Sequence, residues 1–173
     1  MQNILLFIFW GMFVLVFLKL ISTVVSIAYG SPSGETPQKL AVKLFDRLDL
    51  PKKSVIYDLG CGFGNIATAI SKNYDFNVVG YEISPLPYIF SKIKSLFIKN
   101  FTVRYADIRR ANLSQANVVY LYLLPNLLSQ MTAKLKQELP SGTLIISFAF
   151  EVKQMQKIKI INIKGYKFYI YRV

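Results

Sequence analysis

The stretch that most restricts the fold of this chain lies at residues 54–65 and has the sequence SVIYDLGCGFGN. An apolar strand pattern enters a loop with glycines at alternate positions, and the helical pattern NIATAISKN follows. A glycine-rich turn between a strand and a helix brings backbone N–H groups close to a ligand. We therefore predict that a nucleotide-type ligand binds at this loop.

Apolar strands and helical stretches alternate along the rest of the chain. Predicted strands cover residues 54–60, 77–82, 101–107, 117–124 and 141–150, and predicted helices cover 38–48, 65–73, 85–100 and 125–139. A terminal hairpin is predicted at 157–173, with its turn near Lys164 and Gly165. Residues 30–37 predict a loop in which Thr36 caps the first helix and Pro37 begins it. The alternation favours a mostly parallel sheet covered on both faces.

The N-terminal segment, residues 1–29, is apolar and carries one charge, Lys19. Its apolar run of about 25 residues exceeds the roughly 20 that cross a hydrocarbon core, so we predict a transmembrane anchor. The alternatives are a signal peptide, whose basic n-region is missing from the first residues MQN, and a buried core helix. Basic residues follow this single apolar segment and none precedes it, so for a single-pass membrane protein the positive-inside rule predicts that the N-terminus faces out. Residues 30–173 would then form a cytoplasmic domain.

The chain has a net charge of +12, from 21 Lys and Arg against 9 Asp and Glu. For an anchored protein, anionic lipid headgroups are the favoured partner of this charge, and nucleic acid is a less favoured alternative because no recognisable nucleic-acid module occurs. The chain has no His, so its chemistry proceeds without imidazole and we predict no metal site. The only cysteine, Cys61, lies in the glycine loop. We interpret it as a small residue that contacts the ligand through its backbone, and not as a nucleophile.

The glycine spacing distinguishes between nucleotide ligands. Gly60, Gly62 and Gly64 are followed by Asn65 where a dinucleotide fingerprint has its third glycine, and the Lys and Ser or Thr of a P-loop are missing. Asp58, two residues before the first glycine, would repel a pyrophosphate. The same carboxylate suits a ligand with an ammonium and a sulfonium group. We therefore predict S-adenosylmethionine as the cofactor.

Two further carboxylates follow successive predicted strands. Glu82 ends the second strand and is placed to accept hydrogen bonds from both ribose hydroxyls. Asp107 follows the third strand and is placed to accept from the adenine amino group, with Ile83 and Ile108 on either side of the ring. Each carboxylate alone is also explained as a helix cap or turn former. Together with Asp58, however, they follow three strands at the edge where open α/β sheets bind ligands.

From residue 30 to its end the chain resembles a class I S-adenosylmethionine-dependent methyltransferase. The motifs that carry the resemblance are ETPQKLAVKLFDRL, VIYDLGCGFGNIATAIS, VVGYEISP, RYADI and VVYLYLLPNLLSQMTAKLKQELPSGTLIISFAF. The YLLP turn and the Thr36-Pro37 pair resemble more narrowly the small family of archaeal protein-lysine methyltransferases and mitochondrial ATP synthase c-subunit lysine methyltransferases. The resemblance implies an α/β fold with a seven-stranded Rossmann-like sheet, mostly parallel with a terminal antiparallel hairpin. One N-terminal transmembrane helix would precede it.

The resemblance also implies the residues of the site. Cofactor contacts are expected from Thr36, Asp58, Gly60, Gly62, Gly64, Glu82 and Asp107. The turn from Tyr122 through Leu124 to Pro125 would line the methyl-transfer site, and Tyr122 is the candidate for orienting the acceptor. Its alternative is a strand-end aromatic packed on the core. Many amine methyltransferases carry an Asn/Asp-Pro-Pro-aromatic turn where this chain has YLLP, which disfavours nucleobase and glutamine acceptors.

The function implied by the resemblance is a membrane-anchored protein-lysine N-methyltransferase that acts near the cytoplasmic membrane surface. The residues after the anchor barely complete the strand and helix set, so an open site is expected, and this suits a macromolecular side chain. The alternatives are a methyltransferase for a lipid or small amphiphile and a non-catalytic cofactor-binding module. Deletion of residues 1–29 is expected to leave cofactor affinity intact while reducing methylation at membranes.

Overall fold

The computed structural model describes residues 2–29 and 36–173. Helix α1, Gln2–Ala28, begins the chain. Its large apolar side chains between Ile4 and Phe17 are each at least 50% exposed. The span Asn3–Val25 is long and apolar enough to cross a membrane by length and composition. None of its most apolar window is buried against the rest of the described chain, which does not fit a buried core helix.

Shorter helices and a set of strands follow α1, at the positions that the hydrophobic periodicity predicts. The helices are α2 (Gln38–Phe45), α3 (Asn65–Asn73), α4 (Pro85–Leu96) and α5 (Pro125–Glu138). The strands are β1 (Val55–Leu59), β2 (Asn77–Glu82), β3 (Phe101–Tyr105), β4 (Val118–Leu121), β5 (Leu144–Phe148), β6 (Lys157–Ile163) and β7 (Tyr166–Arg172). The last two strands form the predicted hairpin, and its turn residues Lys164 and Gly165 have φ of 53° and 85°.

The strands form one seven-stranded sheet in the order β3-β2-β1-β4-β5-β7-β6. Strands β1 to β5 pair in parallel, and β7 pairs antiparallel with both β5 and β6. The predicted sheet, mostly parallel with a terminal antiparallel hairpin, is therefore confirmed. The strand order reverses at β1, whose neighbours are β2 and β4. Open α/β sheets bind ligands beyond the carboxyl ends of the strands at such a switch point.

Two apolar layers cover the sheet. Helices α2 and α3 contribute Leu44 and Ile70 to one layer, in which Ile56 of β1 is also buried. Helix α5 contributes Met131 to the other layer, together with Leu113 from the segment between β3 and β4. Because the central strands are covered on both faces, they are nearly continuous apolar runs.

The start of the domain departs from the sequence expectation at one side chain. Residues 30–35 of the predicted loop lie outside the described residues. Thr36 does not cap α2, because its hydroxyl lies 2.8 Å from the buried hydroxyl of Tyr120 on β4. The N-cap of α2 is Pro37, which makes no side-chain cap, and the helix begins at Gln38. The Thr36 cap prediction was therefore wrong, since the buried Tyr120 hydroxyl requires a partner.

Candidate active site

The glycine loop joins β1 to α3 at the carboxyl edge of the sheet. Gly60, Gly62 and Gly64 have φ of 84°, 55° and 71°, a region that favours glycine. The N–H groups of Gly60 and Cys61 both donate to the carbonyl of Tyr81, at 2.9 and 3.0 Å. These bonds hold the loop against the end of β2.

The Cys61 side chain is buried against Ser91 of α4 and Gly80 of β2. Its Sγ lies 3.7 Å from the Ser91 hydroxyl. A Cβ on Gly80 would lie 2.6 Å from that sulfur, so β2 has a glycine where the thiol needs room. Burial, and after it the charges of Asp58 and Glu82, raise the pKa of the Cys61 thiol. A buried, protonated thiol is a poor nucleophile, which agrees with the sequence interpretation. Its backbone contact with a cofactor stays a prediction.

Glu82 is buried at the end of β2 and braces the loop. Its Oε2 accepts a hydrogen bond from the N–H of Gly62 at 2.8 Å. Its Oε1 accepts from the N–H groups of Ile83 and Ser84, at 3.0 and 2.6 Å. Glu82 is thus a turn former as well as a candidate ligand residue. A carboxylate has about four acceptor positions, and because these bonds use three, one on Oε2 is left for a ribose hydroxyl.

Asp58 lies on β1 immediately before the loop and is 3% exposed. Its Oδ2 is buried and has no hydrogen-bond partner among the described residues. Burial, and after it the charge of Glu82, raises the pKa of Asp58 from 3.8 to about 7. A buried carboxylate oxygen normally has a donor, and a cationic amine beside it would favour the ionised form. This orphaned oxygen fits the ammonium group of the predicted cofactor.

Asp107 follows β3 and acts as a helix cap, the alternative to its predicted contact with the cofactor. It caps the short 3-10 helix Ile108–Arg110, accepting from the N–H of Arg109 at 2.9 Å. It also forms an ion pair with the Arg109 guanidinium, 2.7 Å between Oδ2 and Nη2. Burial acts to raise the pKa of Asp107, but the hydrogen bonds and charge of Arg109 outweigh it and the pKa is lowered. The carboxylate is therefore ionised, and Arg109 occupies both of its oxygens. Its contact with the adenine amino group stays a prediction.

These elements surround a small cavity that opens to solvent. Of the residues predicted from the sequence, Gly60, Glu82, Ile83, Asp107 and Ile108 line it. Tyr29, Tyr81, Ser84, Leu123 and Leu127 line it as well and were missed. Tyr81 and Ser84 flank the predicted segment around Glu82, so proximity along the chain could have found them. Nothing in the sequence connects Tyr29, at the end of α1, with this cavity.

The remaining predicted residues lie outside this cavity lining. Thr36 bonds Tyr120, which pairs in register with Asp58, so residue 36 lies near the methionine side of the predicted cofactor. Burial raises the pKa of the Tyr120 hydroxyl, which is therefore protonated. Leu124 is the N-cap of α5 and Pro125 is its first residue. The cofactor contacts predicted for Thr36, Gly62, Gly64, Leu124 and Pro125 stay predictions.

Tyr122 lies just beyond β4 in an aromatic cluster with residues from β5 and the hairpin. Its ring centroid is 4.8 Å from that of Phe148 and 6.2 Å from that of Phe150, with which it stacks. Phe148 also stacks on Tyr166 at 5.8 Å. Ala149, between the two phenylalanines, has φ of 65°, a strained conformation for a residue with a side chain. Tyr122 thus packs on the core, as its alternative interpretation proposes, and it does so at the ligand-binding edge of the sheet.

The strand order, the glycine loop and the acidic residues at the strand ends together define a class I S-adenosylmethionine-dependent methyltransferase. The chain belongs to the family of the ANTKMT methyltransferase domain, whose model matches residues 58–159.

Known proteins support this assignment. A Protein-lysine N-methyltransferase of Saccharolobus islandicus (strain REY15A) is 31% identical over 144 residues, which cover 77% of this chain and 85% of that protein. The structure resembles that of an RNA methyltransferase from Salinibacter ruber in complex with S-adenosyl-L-homocysteine, with a TM-score of 0.76 and 25% identity over 81% of this chain and 94% of that one. A ribosomal protein L11 methylase from Lactobacillus delbrueckii subsp. bulgaricus, at 14% identity over 76% of each chain and a TM-score of 0.64, shares the fold.

S-adenosylmethionine is therefore the cofactor, and the side chains present fit it. Asp58 would hold its ammonium group, Glu82 a ribose hydroxyl and Asp107 the adenine amino group, with Ile83 and Ile108 beside the ring. When bound, the cofactor supplies an electrophilic methyl group on a sulfonium. The protein contributes the alignment of the acceptor with that group and the exclusion of water.

Proposed function

We propose that this protein transfers methyl groups from S-adenosylmethionine to lysine side chains of a protein at a membrane surface, with its methyltransferase domain on the cytoplasmic side. The observation that carries the lysine acceptor is the 31% identity with a protein-lysine N-methyltransferase across 85% of that protein's length. The match runs well beyond the cofactor loop that all such enzymes share.

The aromatic cluster at Tyr122 supports an amine acceptor with a long apolar stem. Tyr122 and Phe150 are half-buried and stacked, and Tyr166, which stacks on Phe148, is 47% exposed. Flat aromatic faces bind the methylene stem of a lysine and attract its ammonium group. The strained Ala149 separates Phe148 from Phe150 at this point, and such strain is concentrated at functional sites.

A lysine must lose its proton before it can attack a methyl group. The chain has no His to remove it. Desolvation of the amine beside the sulfonium would lower the lysine pKa, and the proton would leave to water. Alignment in a dry site, and not a general base, is therefore the protein's proposed contribution.

Two surfaces support the membrane location. Helix α1 exposes a long apolar span, and α4, which packs against it, carries an exposed apolar stripe of its own. The stripe consists of Ile89, Phe90, Ile93, Leu96 and Phe97, which are 43% to 84% exposed. Exposed lysines at positions 92 and 99 border it. An apolar helix face bordered by lysines is typical of contact with an anionic lipid interface.

RNA methylation is a second candidate function, favoured by the Salinibacter ruber neighbour and by the net charge of +12. The YLLP turn after β4 argues against it, because nucleobase amines are usually oriented by a polar Asn/Asp-Pro-Pro turn. Methylation of a lipid or amphiphile would require an apolar acceptor pocket in place of the open aromatic face.

The acceptor is tested by incubating the purified full chain, in nanodiscs with anionic lipid, with tritiated cofactor and three extracts: membrane protein, total RNA and lipid. Label on lysine, located by mass spectrometry and abolished by Asp58→Ala, is the expected result. Label confined to RNA or lipid would replace the proposed acceptor, and the absence of label together with absent cofactor binding would favour a non-catalytic module.

The membrane location is tested separately by fractionating cells that express the tagged chain. We expect the chain to stay in the membrane fraction after alkaline extraction. Protease added to the cells should cut a C-terminal tag only after the cell membrane has been permeabilised, because the tag is on the cytoplasmic side. Release by alkaline extraction would contradict a membrane-spanning helix.

A further inference from the structure

The end of helix α1 is attached to the domain at α4. The side chains of Leu18, Ile21 and Val25 are half-buried, and Ser22 between them is 6% exposed. The Ser22 hydroxyl accepts a hydrogen bond of 3.0 Å from the N–H of Leu86. That N–H belongs to the first turn of α4, where helix donors have no partner within their own helix.

This contact lies directly beside the cofactor cavity. Helix α4 begins at Pro85, two residues after the Ile83 that lines the cavity, and its N-cap Ser84 makes no side-chain cap. A serine from α1 thus satisfies the N-terminal donor of α4 in place of a local capping residue. Displacement of α1 would leave that donor without this partner at the turn that Glu82 organises.

A second contact joins Tyr29, just after the end of α1, to Arg109. The guanidinium carbon of Arg109 lies 4.8 Å from the centre of the Tyr29 ring. Arg109 is itself held by both carboxylate oxygens of Asp107, through Nε at 3.0 Å and Nη2 at 2.7 Å. Tyr29, Asp107 and Ile108 line the same cavity. The Tyr29 ring is therefore positioned by a residue that is already fixed to the site.

We propose that the C-terminal end of α1 is part of the cofactor-binding site, with Ser22 docking the helix on α4 and the Tyr29 ring forming a wall of the adenosine side. The inference rests on the methyltransferase activity but not on the identity of the acceptor. Binding of the cofactor and docking of α1 are then coupled, since each stabilises the other. An apolar helix that is expected to lie in the membrane would thereby control the affinity of the enzyme for its cofactor.

The proposed role of Tyr29 differs from the expectation that residues 1–29 could be removed without loss of cofactor affinity, which no measurement has tested. That expectation treated the segment as an anchor alone. Tyr29 belongs to the segment and lines the cavity, so its removal opens one wall of the site.

The test measures binding of S-adenosylhomocysteine to the full chain in detergent micelles by calorimetry, which does not depend on turnover. We expect Tyr29→Ala to weaken binding about ten-fold, because a stacked aromatic wall is lost, and Tyr29→Phe to remain within about two-fold. Ser22→Ala should weaken binding about two- to five-fold through loss of one hydrogen bond. The matched controls on the same helix, Phe17→Ala and Thr23→Ala, remove exposed side chains and should leave the Kd unchanged.

Hydrogen exchange gives a second readout that is independent of any substitution. Addition of S-adenosylhomocysteine should slow exchange of the amides in residues 18–29 and leave residues 3–17 unaffected. A Tyr29→Ala affinity within two-fold of the original chain, or unchanged exchange in residues 18–29, would overturn the inference. If cofactor binding depends on Tyr29 but no lysine is methylated, this inference stands and the proposed acceptor is refuted. A failure of this inference can therefore be told apart from a failure of the proposed function.

Discussion

The backbone N–H of Gly62 donates a hydrogen bond of 2.8 Å to Oε2 of Glu82, which joins the middle of the glycine loop to the end of β2. One carboxylate thus sets the conformation of two successive turns, because its other oxygen accepts from Ile83 and Ser84. The loop is preorganised by the same residue that is predicted to bind the ribose.

Glu82→Gln tests this bracing role. An amide has one acceptor oxygen, so at least one of the three N–H donors would face an NH₂ group and lose its partner. We expect affinity for S-adenosylhomocysteine to fall about 10- to 100-fold, as for loss of charge-assisted hydrogen bonds, with a lowered Tm. Calorimetry and thermal unfolding measure both. Glu138→Gln, which removes an exposed pair with Lys134, is the control and should change neither. An unaltered Kd for Glu82→Gln would refute the bracing role.

The raised pKa of Asp58 predicts a pH dependence of cofactor binding. Its carboxyl has a pKa of about 7 because of burial and then Glu82. Since an ammonium group binds the ionised form better, affinity should rise as pH increases from about 5 to 8 and then level off. Binding at about pH 6 should release a proton, measured by calorimetry in buffers of different ionisation enthalpy. Asp58→Asn should make both readouts flat, whereas a flat profile of the original chain would contradict the assignment.

The same shift has an opposite consequence for stability without cofactor. The folded chain holds the Asp58 proton up to about pH 7, while the unfolded chain releases it near the ordinary aspartate pKa of 3.8. The folded state therefore binds more protons across that window, and the free energy of unfolding should fall as pH rises through it. Asp58→Asn should remove this contribution. Denaturant unfolding at several pH values would show whether the slope of the variant is the smaller one.

The buried pair of Thr36 and Tyr120 predicts energetic coupling. Their hydroxyls are 2.8 Å apart, so either single substitution, Thr36→Val or Tyr120→Phe, leaves one buried hydroxyl without this partner. Each should lower the free energy of unfolding by about 1–3 kcal/mol, and the double variant should lose less than the sum. Denaturant unfolding of the four proteins gives the coupling energy. Thr102→Val, at an exposed position on β3, is the control: its effect on the free energy of unfolding should add to that of Tyr120→Phe. If the effects of Thr36→Val and Tyr120→Phe simply add in the double variant, the hydrogen bond between them contributes nothing to stability.

The aromatic face at Tyr122 predicts a defect confined to the acceptor. Tyr122→Ala should reduce kcat/KM for a lysine peptide about ten-fold or more, because the stacked Tyr122–Phe150 surface is lost. The Kd for S-adenosylhomocysteine should stay within about two-fold, since Tyr122 does not line the cofactor cavity. Tyr122→Phe separates the ring from its hydroxyl and should retain most activity. An equal loss in Tyr122→Phe would assign the role to the hydroxyl, and a lost Kd in Tyr122→Ala would refute a separate acceptor role.

Periodicity in the sequence predicted the strands and helices because each buries its side chains on a local pattern. The strand ends were therefore also predictable, and with them the positions of Asp58, Glu82 and Asp107 at one edge of the sheet. After β4, Leu123 and Leu127 line the cavity and were not predicted, while the contacts predicted for Leu124 and Pro125 stay predictions. At that point the chain leaves β4 and enters α5, so the side-chain direction depends on the backbone path and not on strand alternation.

The sequence by itself determined the sheet, the glycine loop and the class of cofactor, because these depend on local patterns and on the charge of single residues. The tertiary structure decided which side chains serve more than one role. The Thr36 hydroxyl forms a hydrogen bond with Tyr120 and does not cap α2. Glu82, which was predicted only as a ribose ligand, also accepts a hydrogen bond from the glycine loop. Tyr29 lines the cofactor cavity, although the N-terminal segment to which it belongs was predicted only as a membrane anchor. These contacts join residues that are separated in the chain. They form only when β2 lies beside β1, α2 packs on the sheet and α1 packs on α4.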